Sequence, residues 1–169
     1  MLAFAVSFDG PIAIRYPRGS AHQGLQEYQA PVEYGRSEII RKGKKIAVLG
    51  VGSMIPSCME ICKGLKDDGY DPTFVNARFV KPLDVDLLDE LAKDHSLFVT
   101  VEENVKSGGY GEHVSAYMEA CHPEIRVLSA AVWDRFVPQG NVESLRSRIG
   151  LGVEDIRQAI EDSEELREQ

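Results

Sequence analysis

Two periods of hydrophobic and polar positions alternate along the chain, and each switch between them marks a new element. Residues 37–41 and 45–50 read as strands separated by Lys42-Gly43-Lys44, a turn-like tripeptide. These two strands are therefore expected to pair antiparallel. From Ser53 onward Ile55, Met59, Cys62 and Leu65 recur at three- and four-residue spacing until Asp68-Gly69 stops the pattern, which predicts a helix. Residues 73–79 predict a strand, Asp84 caps a second helix with Val85, Leu88 and Leu91 on one face, and 97–101 is a fully apolar strand. A third helix over 109–120, a strand over 125–130 and closing helices over 142–149 and 153–160, the last capped from Gly152, complete the series. Strands alternating with helices predict a three-layer α/β/α fold. Its sheet is five-stranded and mostly parallel, with one antiparallel strand, and is covered on both faces.

The first thirty residues do not join this rhythm. Residues 11–19 predict a short apolar strand closed by Pro17, which biases Tyr16 towards extended geometry, and residues 20–31 are polar, without a period, like a linker. The expected organisation is a strand and linker over 1–31 and a domain with its own core over 32–169.

Composition narrows the function classes. No run approaches the roughly 18 apolar residues that a spanning helix needs, and the N-terminus has Asp9 and no cationic lead-in of a secretory signal, so the expectation is no membrane and a cytoplasmic protein. A net charge of −8 disfavours a nucleic-acid partner, because phosphate binding draws on clustered Lys and Arg. Residues 154–169 carry much of that charge and read as a solvated terminal helix. Cys58, Cys62 and Cys121 form no CxxC pair. Cys58 and Cys62 share a helix face and are expected to pack as small hydrophobes, and His22, His95, His113 and His122 are scattered, so no metal site is expected.

Four local features carry possible chemistry. Gly50-Val51-Gly52-Ser53 follows a strand and opens a helix, yet lacks the third glycine of a dinucleotide site; its glycines are expected to allow close helix-to-sheet approach while Ser53 caps the helix. Glu102 and Glu103 end a strand and point to opposite faces, so they are not an acid/base dyad. Ser57, Ser115 and His113 sit in no Gly-x-Ser-x-Gly elbow, which argues against a hydrolase. Arg15 and Arg18 flank a strand end, where two guanidinium forks could grip a phosphate.

Five strings in order along the chain carry a family resemblance. They are Gly10-Pro11-Ile12-Ala13-Ile14-Arg15-Tyr16-Pro17-Arg18-Gly19, Leu49-Gly50-Val51-Gly52-Ser53-Met54, Asn76-Ala77-Arg78-Phe79-Val80-Lys81-Pro82-Leu83-Asp84, Thr100-Val101-Glu102-Glu103-Asn104 leading to Gly108-Gly109-Tyr110-Gly111, and Trp133-Asp134-Arg135-Phe136-Val137-Pro138. The chain resembles the C-terminal end of the 1-deoxy-D-xylulose-5-phosphate synthases of the transketolase superfamily. Gln139 departs from the pattern, since the family usually has His there. Asp9-Gly10-Pro11 reads as a turn and not as the family's magnesium-diphosphate anchor.

The resemblance implies more than the spacing does. It makes residues 1–19 the last strand of the family's pyrimidine-binding domain and 32–169 its C-terminal domain. It implies thiamine diphosphate and Mg2+ in the full-length enzyme, with neither expected on this piece, and a homodimer that condenses pyruvate with glyceraldehyde 3-phosphate. It assigns the acceptor phosphate to Arg18, with Arg15 second, and packing between subunits and domains to Glu102, Glu103, Asn104, Gly108, Gly109 and Tyr110. This piece alone is expected to be inactive. The rival expectations are a freestanding dimerisation or docking module, and the C-terminal domain of a transketolase or of a 2-oxoacid dehydrogenase β subunit.

Overall fold

The computed structural model describes residues 1–17 and 24–163. Its sheet consists of β1 (Glu38–Arg41), β2 (Lys45–Gly50), β3 (Thr73–Asn76), β4 (His95–Val105) and β5 (Arg126–Val132), hydrogen-bonded in the order β1-β3-β2-β4-β5. The last four are mutually parallel and β1 runs antiparallel to β3, so the predicted fold class holds. The described helices are α1 (Leu2–Ser7), α2 (Ile55–Asp67), α3 (Val85–Leu91), α4 (Tyr110–Cys121), α5 (Val142–Arg148) and α6 (Val153–Glu161).

Residues 46–49 of β2 and 97–101 of β4 read as largely apolar runs because both of their faces are covered. Ile46, Val48, Leu97, Val99 and Val101 pack with Met54, Ile55, Ile61 and Leu65 around α2 and with Ile156 and Ile160 of α6. Ala47, Leu49 and Phe98 point the other way, against Leu87, Leu88 and Leu91 of α3 and Tyr110, Val114 and Met118 of α4. Cys58 and Cys62 sit in the α2 layer as the helical period requires. Burial pushes the Cys62 thiol up to about 12, and that of Cys58 higher still, so neither supplies a thiolate near neutral pH. Gly50 has the close-approach role expected of it: a Cβ there would lie 2.8 Å from Cys58 Sγ.

The expected β1–β2 hairpin does not form. β1 pairs with β3, and Lys42-Gly43-Lys44 carries the chain across the start of β3 to reach β2 two places away. Gly43 N–H donates to Thr73 Oγ1 at 2.9 Å and Lys44 N–H to Asp71 O at 2.6 Å. The crossing is so close that a Cβ on Gly43 would lie 2.1 Å from Asp71 O. Residues 11–17 form no strand either, since an extended segment becomes one only beside another strand, and no described strand lies alongside. Instead α1, which the pattern did not predict, is tied down by aromatic contacts. The Phe8 ring stacks on Tyr34 at 5.0 Å between centroids, and Phe4 meets Phe79 edge-on at 5.8 Å.

The amino ends of the strands are joined by a buried hydroxyl–imidazole chain. Thr73 Oγ1 lies 2.7 Å from His95 Nε2, and His95 Nδ1 lies 2.8 Å from Leu91 O. Because Leu91 O can only accept, Nδ1 carries the proton and Nε2 accepts from Thr73, which satisfies every group with a neutral ring. Burial lowers the pKa of His95 below its ordinary 6.5. The folded protein therefore binds fewer protons here than the unfolded chain, and this stability is complete above about 6.5 and is lost as pH falls through the lowered value. Melting scans from pH 7.5 to 5 are expected to show a falling midpoint. The fall should be shallower in His95→Gln, and equal slopes in the two proteins would contradict the assignment.

Candidate functional site

Open α/β sheets offer functional groups at the carboxyl ends of their strands, and here that rim is built around the end of β4. Glu102 is 2% exposed, and its two oxygens accept from Tyr110 N–H at 3.0 Å and Gly111 N–H at 2.8 Å. These are the first two amides of α4, which have no partner within the helix and carry the positive end of its dipole. The glycines around them are there for room. A Cβ on Gly109 would lie 2.6 Å from Glu102 Oε1, and one on Gly111 2.2 Å from Ser129 Oγ.

Alternation along β4 sends Glu103 to the opposite face, as expected. There it accepts from Arg146 Nε at 3.1 Å and from Ser53 Oγ at 2.7 Å. Burial works to raise its pKa, but the Arg146 and Ser53 hydrogen bonds outweigh it and hold the carboxyl below the usual range. Ser53 is thus committed to Glu103 of β4, and it does not cap α2, whose N-cap position is Met54. The two glutamates form no acid/base pair; each fastens a different helical layer to one strand.

The string from Asn76 to Asp84 also has a structural explanation. Arg78 forms an ion pair with Glu38 in which both side chains are largely buried, and it donates to Pro31 O at 3.1 Å. Ala30 N–H donates to the same Glu38 carboxylate at 3.1 Å, so the entering chain is clamped to the sheet edge. Asp84 accepts from Ser37 N–H at 2.7 Å, from Arg36 at 2.9 Å and, as the predicted cap of α3, from Leu87 N–H at 3.4 Å. Gly35, in the left-handed region at φ 71°, faces the Pro82 ring, where a Cβ would lie 2.9 Å away.

Among the other expected site residues, Arg15 is exposed in the segment 11–17. Arg18 lies outside the described residues. Glu102, Gly109 and Tyr110 are buried and serve the start of α4, whereas Glu103 and Gly108 are exposed and Asn104 is half-buried. No three His, Cys, Asp or Glu side chains converge on a metal position among the described residues.

Two features were not anticipated. Asp89 Oδ1 accepts from Tyr117 Oη at 2.9 Å and from His122 Nε2 at 2.7 Å, in a hollow of about 610 Å³ at the far end of the sheet. The His122 and Tyr117 hydrogen bonds lower the pKa of Asp89, while Asp89 pushes the Tyr117 hydroxyl up to about 12. The 33-residue separation of Asp89 from His122 hid this pairing in the sequence. The second is a row of exposed apolar side chains after β5, namely Trp133, Phe136, Val137 and Val142, with the Lys106 ammonium 4.8 Å over the Trp133 ring.

The family model described as transketolase, C-terminal domain, matches residues 35–156. The chain belongs to that family. Among curated relatives it is similar to 1-deoxy-D-xylulose-5-phosphate synthase of Lachnoclostridium phytofermentans, at 41% identity over 92% of this chain and 25% of that protein. The enzyme of the same name from Dictyoglomus thermophilum is 39% identical over 95% of this chain and 26% of that protein. The chain thus spans about a quarter of the length of the curated relatives it matches. A solved structure titled split gene transketolase, inactive beta4 tetramer, is similar with a TM-score of 0.74 and 29% identity, over 81% of this chain and 45% of that one.

Within this transketolase C-terminal domain the Glu-Glu-Asn and Gly-rich strings work as one joint, with the Glu102 carboxylate as its centre. Removing that carboxylate leaves two buried amides without an acceptor. Glu102→Ala is therefore expected to destabilise the domain by about 2–3 kcal/mol, the scale of hydrogen bonds to a charged group. Urea unfolding followed by circular dichroism measures this. A midpoint unchanged from wild type would show that Glu102 does not hold α4.

Proposed function

We propose that this chain is the C-terminal part of a thiamine-diphosphate-dependent synthase that condenses pyruvate with glyceraldehyde 3-phosphate. Carbon dioxide is released and 1-deoxy-D-xylulose 5-phosphate is formed, a precursor for isoprenoids, thiamine and pyridoxal. The observation that carries this reading is the match of more than nine-tenths of the chain to relatives that bear the name of that enzyme. The strings Arg15-Tyr16-Pro17-Arg18 and Asp134-Arg135-Phe136-Val137-Pro138 favour it over a transketolase or a 2-oxoacid dehydrogenase β subunit.

In such a synthase thiamine diphosphate, held with Mg2+, supplies the carbanion chemistry. The described residues do not fit that group. A magnesium diphosphate needs converging, uncommitted oxygen ligands, and the buried carboxylates nearest the rim are taken, Glu102 by Tyr110 and Gly111, Asp84 by Arg36 and Ser37. Glu103 is likewise committed to Arg146 and Ser53. The cofactor is assigned to the three-quarters of the synthase that this chain does not span.

This domain's share is therefore positioning. Arg18 grips the acceptor's phosphate through paired charge-assisted hydrogen bonds, with Arg15 as a second guanidinium. Glu103, Asn104 and Gly108 pack between domains or subunits of a cytoplasmic homodimer, and Glu102, Gly109 and Tyr110 set the surface behind them.

Complementation in solution tests the reading. The 169-residue chain alone is expected to release no carbon dioxide from pyruvate. Mixed with the upstream part of a synthase, it should support release that depends on glyceraldehyde 3-phosphate. Arg18→Ala in the assembled enzyme should raise the KM for that acceptor by about tenfold or more through misplacement, with pyruvate KM nearly unchanged. Turnover by the chain alone would overturn the proposal, and so would failure to restore turnover in a mixture that demonstrably associates.

A further inference from the structure

A second hollow, of about 360 Å³, lies beside the first turns of α4. Its walls come from Lys106 and Ser107 after β4, Ser115 of α4, Ser129 of β5, and Trp133 and Asp134 after β5. That volume is at the lower end of the range for small-molecule sites. Thr100 and Ser129 are register partners on β4 and β5, and the hydroxyl oxygens of both are buried without a hydrogen-bond partner in the protein. They face one place beneath α4, since a Cβ on Gly111 would lie 2.2 Å from Ser129 Oγ and 2.5 Å from Thr100 Oγ1. Ser115, by contrast, is committed, its Oγ donating to Gly111 O at 2.7 Å. Buried hydroxyls are normally paired, because an unpaired one keeps the full cost of leaving water. Ser129 borders the hollow, so rotation about its χ1 offers the spare hydroxyl to a guest.

The charged groups select that guest. Lys106 Nζ lies 4.8 Å over the Trp133 ring, and Asp134 adjoins Trp133 in the chain, so a cation and an anion border one indole. Neither forms an ion pair among the described residues, whereas the nearby Glu112 carboxylate is taken by Gly108 N–H. We propose that the hollow binds a small zwitterion with an apolar side chain, the chemistry of a free apolar amino acid. The guest's carboxylate meets Lys106 and accepts from the Ser129 hydroxyl, its ammonium meets Asp134, and its side chain lies along the Trp133 ring. A guest with one charge fits worse. An anion leaves Asp134 facing a like charge, and a cation competes with the Lys106 ammonium for the same wall.

Nothing here depends on the synthase reading, so the test needs no catalysis. The chain has a single tryptophan, so its fluorescence reports this wall alone. Titrating the purified 169-residue chain with L-phenylalanine is expected to change that fluorescence saturably. Phenylacetate, which lacks the ammonium, and phenethylamine, which lacks the carboxylate, should each bind about tenfold more weakly. Lys106→Gln, at an exposed position, should weaken L-phenylalanine about tenfold and leave phenethylamine unchanged. Ser129→Ala should weaken L-phenylalanine about fivefold, with a melting midpoint no lower than wild type because it deletes an unpaired hydroxyl. If Ser129→Ala fails to fold, the Lys106→Gln series still decides. The absence of a saturable change up to the solubility limit would overturn the proposal. Equal binding of either singly charged analogue would do the same, as would wild-type affinity in Lys106→Gln or in folded Ser129→Ala.

Discussion

A carboxylate taken out of water must be answered by donors, and the end of β4 is organised around one that is. Glu102 is buried at the carboxyl end of the central parallel strands, and α4 begins by presenting two amide N–H groups to it. An ionised carboxylate in that position without partners would be strongly unfavourable. The unpartnered amides and positive pole of a helix N-terminus make it favourable. From this one bond network follow the close approach of α4 to the sheet, the glycines at 109 and 111, and the placement of Val114 and Met118 in the core. Because strand residues alternate, the same backbone turns Glu103 to the opposite face, where it anchors α5 through Arg146 and the start of α2 through Ser53. One strand end thereby secures both helical layers.

The strings that mark the family have the same character. Arg78, Pro82 and Asp84 lie in the string from Asn76 to Asp84, and each holds backbone: Arg78 with Glu38 clamps residues 30–31, Pro82 faces Gly35, and Asp84 ties Ser37 to the first turn of α3. Such residues set the shape of a surface and the angle at which the chain enters the domain. The polar groups near the rim are largely committed to holding the backbone and helices of the domain itself.

Much of this was legible in the sequence because the signals were local. The helical period through Ile55, Met59, Cys62 and Leu65, the Asp84 cap and the opposed faces of Glu102 and Glu103 depend on residues within a few positions of one another. What was not legible depends on long-range partners. Lys42-Gly43-Lys44 resembles a hairpin turn, and only the arrival of β3 between β1 and β2 makes it a crossing. Ser53 stands where a helix cap would, but Glu103, fifty residues away, offers a charged acceptor. Residues 11–17 have the composition of a strand and no described strand beside them, and α1 is held by rings from Tyr34 and Phe79 that no periodicity connects to it. Of the two arginines that the sequence nominated for phosphate, Arg15 is exposed and Arg18 lies outside the described residues.

The claim that a buried carboxylate fastens α4 to the sheet concerns two particular amides. The first N–H groups of a helix ordinarily exchange with solvent quickly, because nothing in the helix accepts them. Residue-resolved hydrogen exchange should find the amides of Tyr110 and Gly111 protected to nearly the same degree as those of Val99 and Val101 in β4. Exchange of Tyr110 and Gly111 at the rate of an open loop would contradict the account.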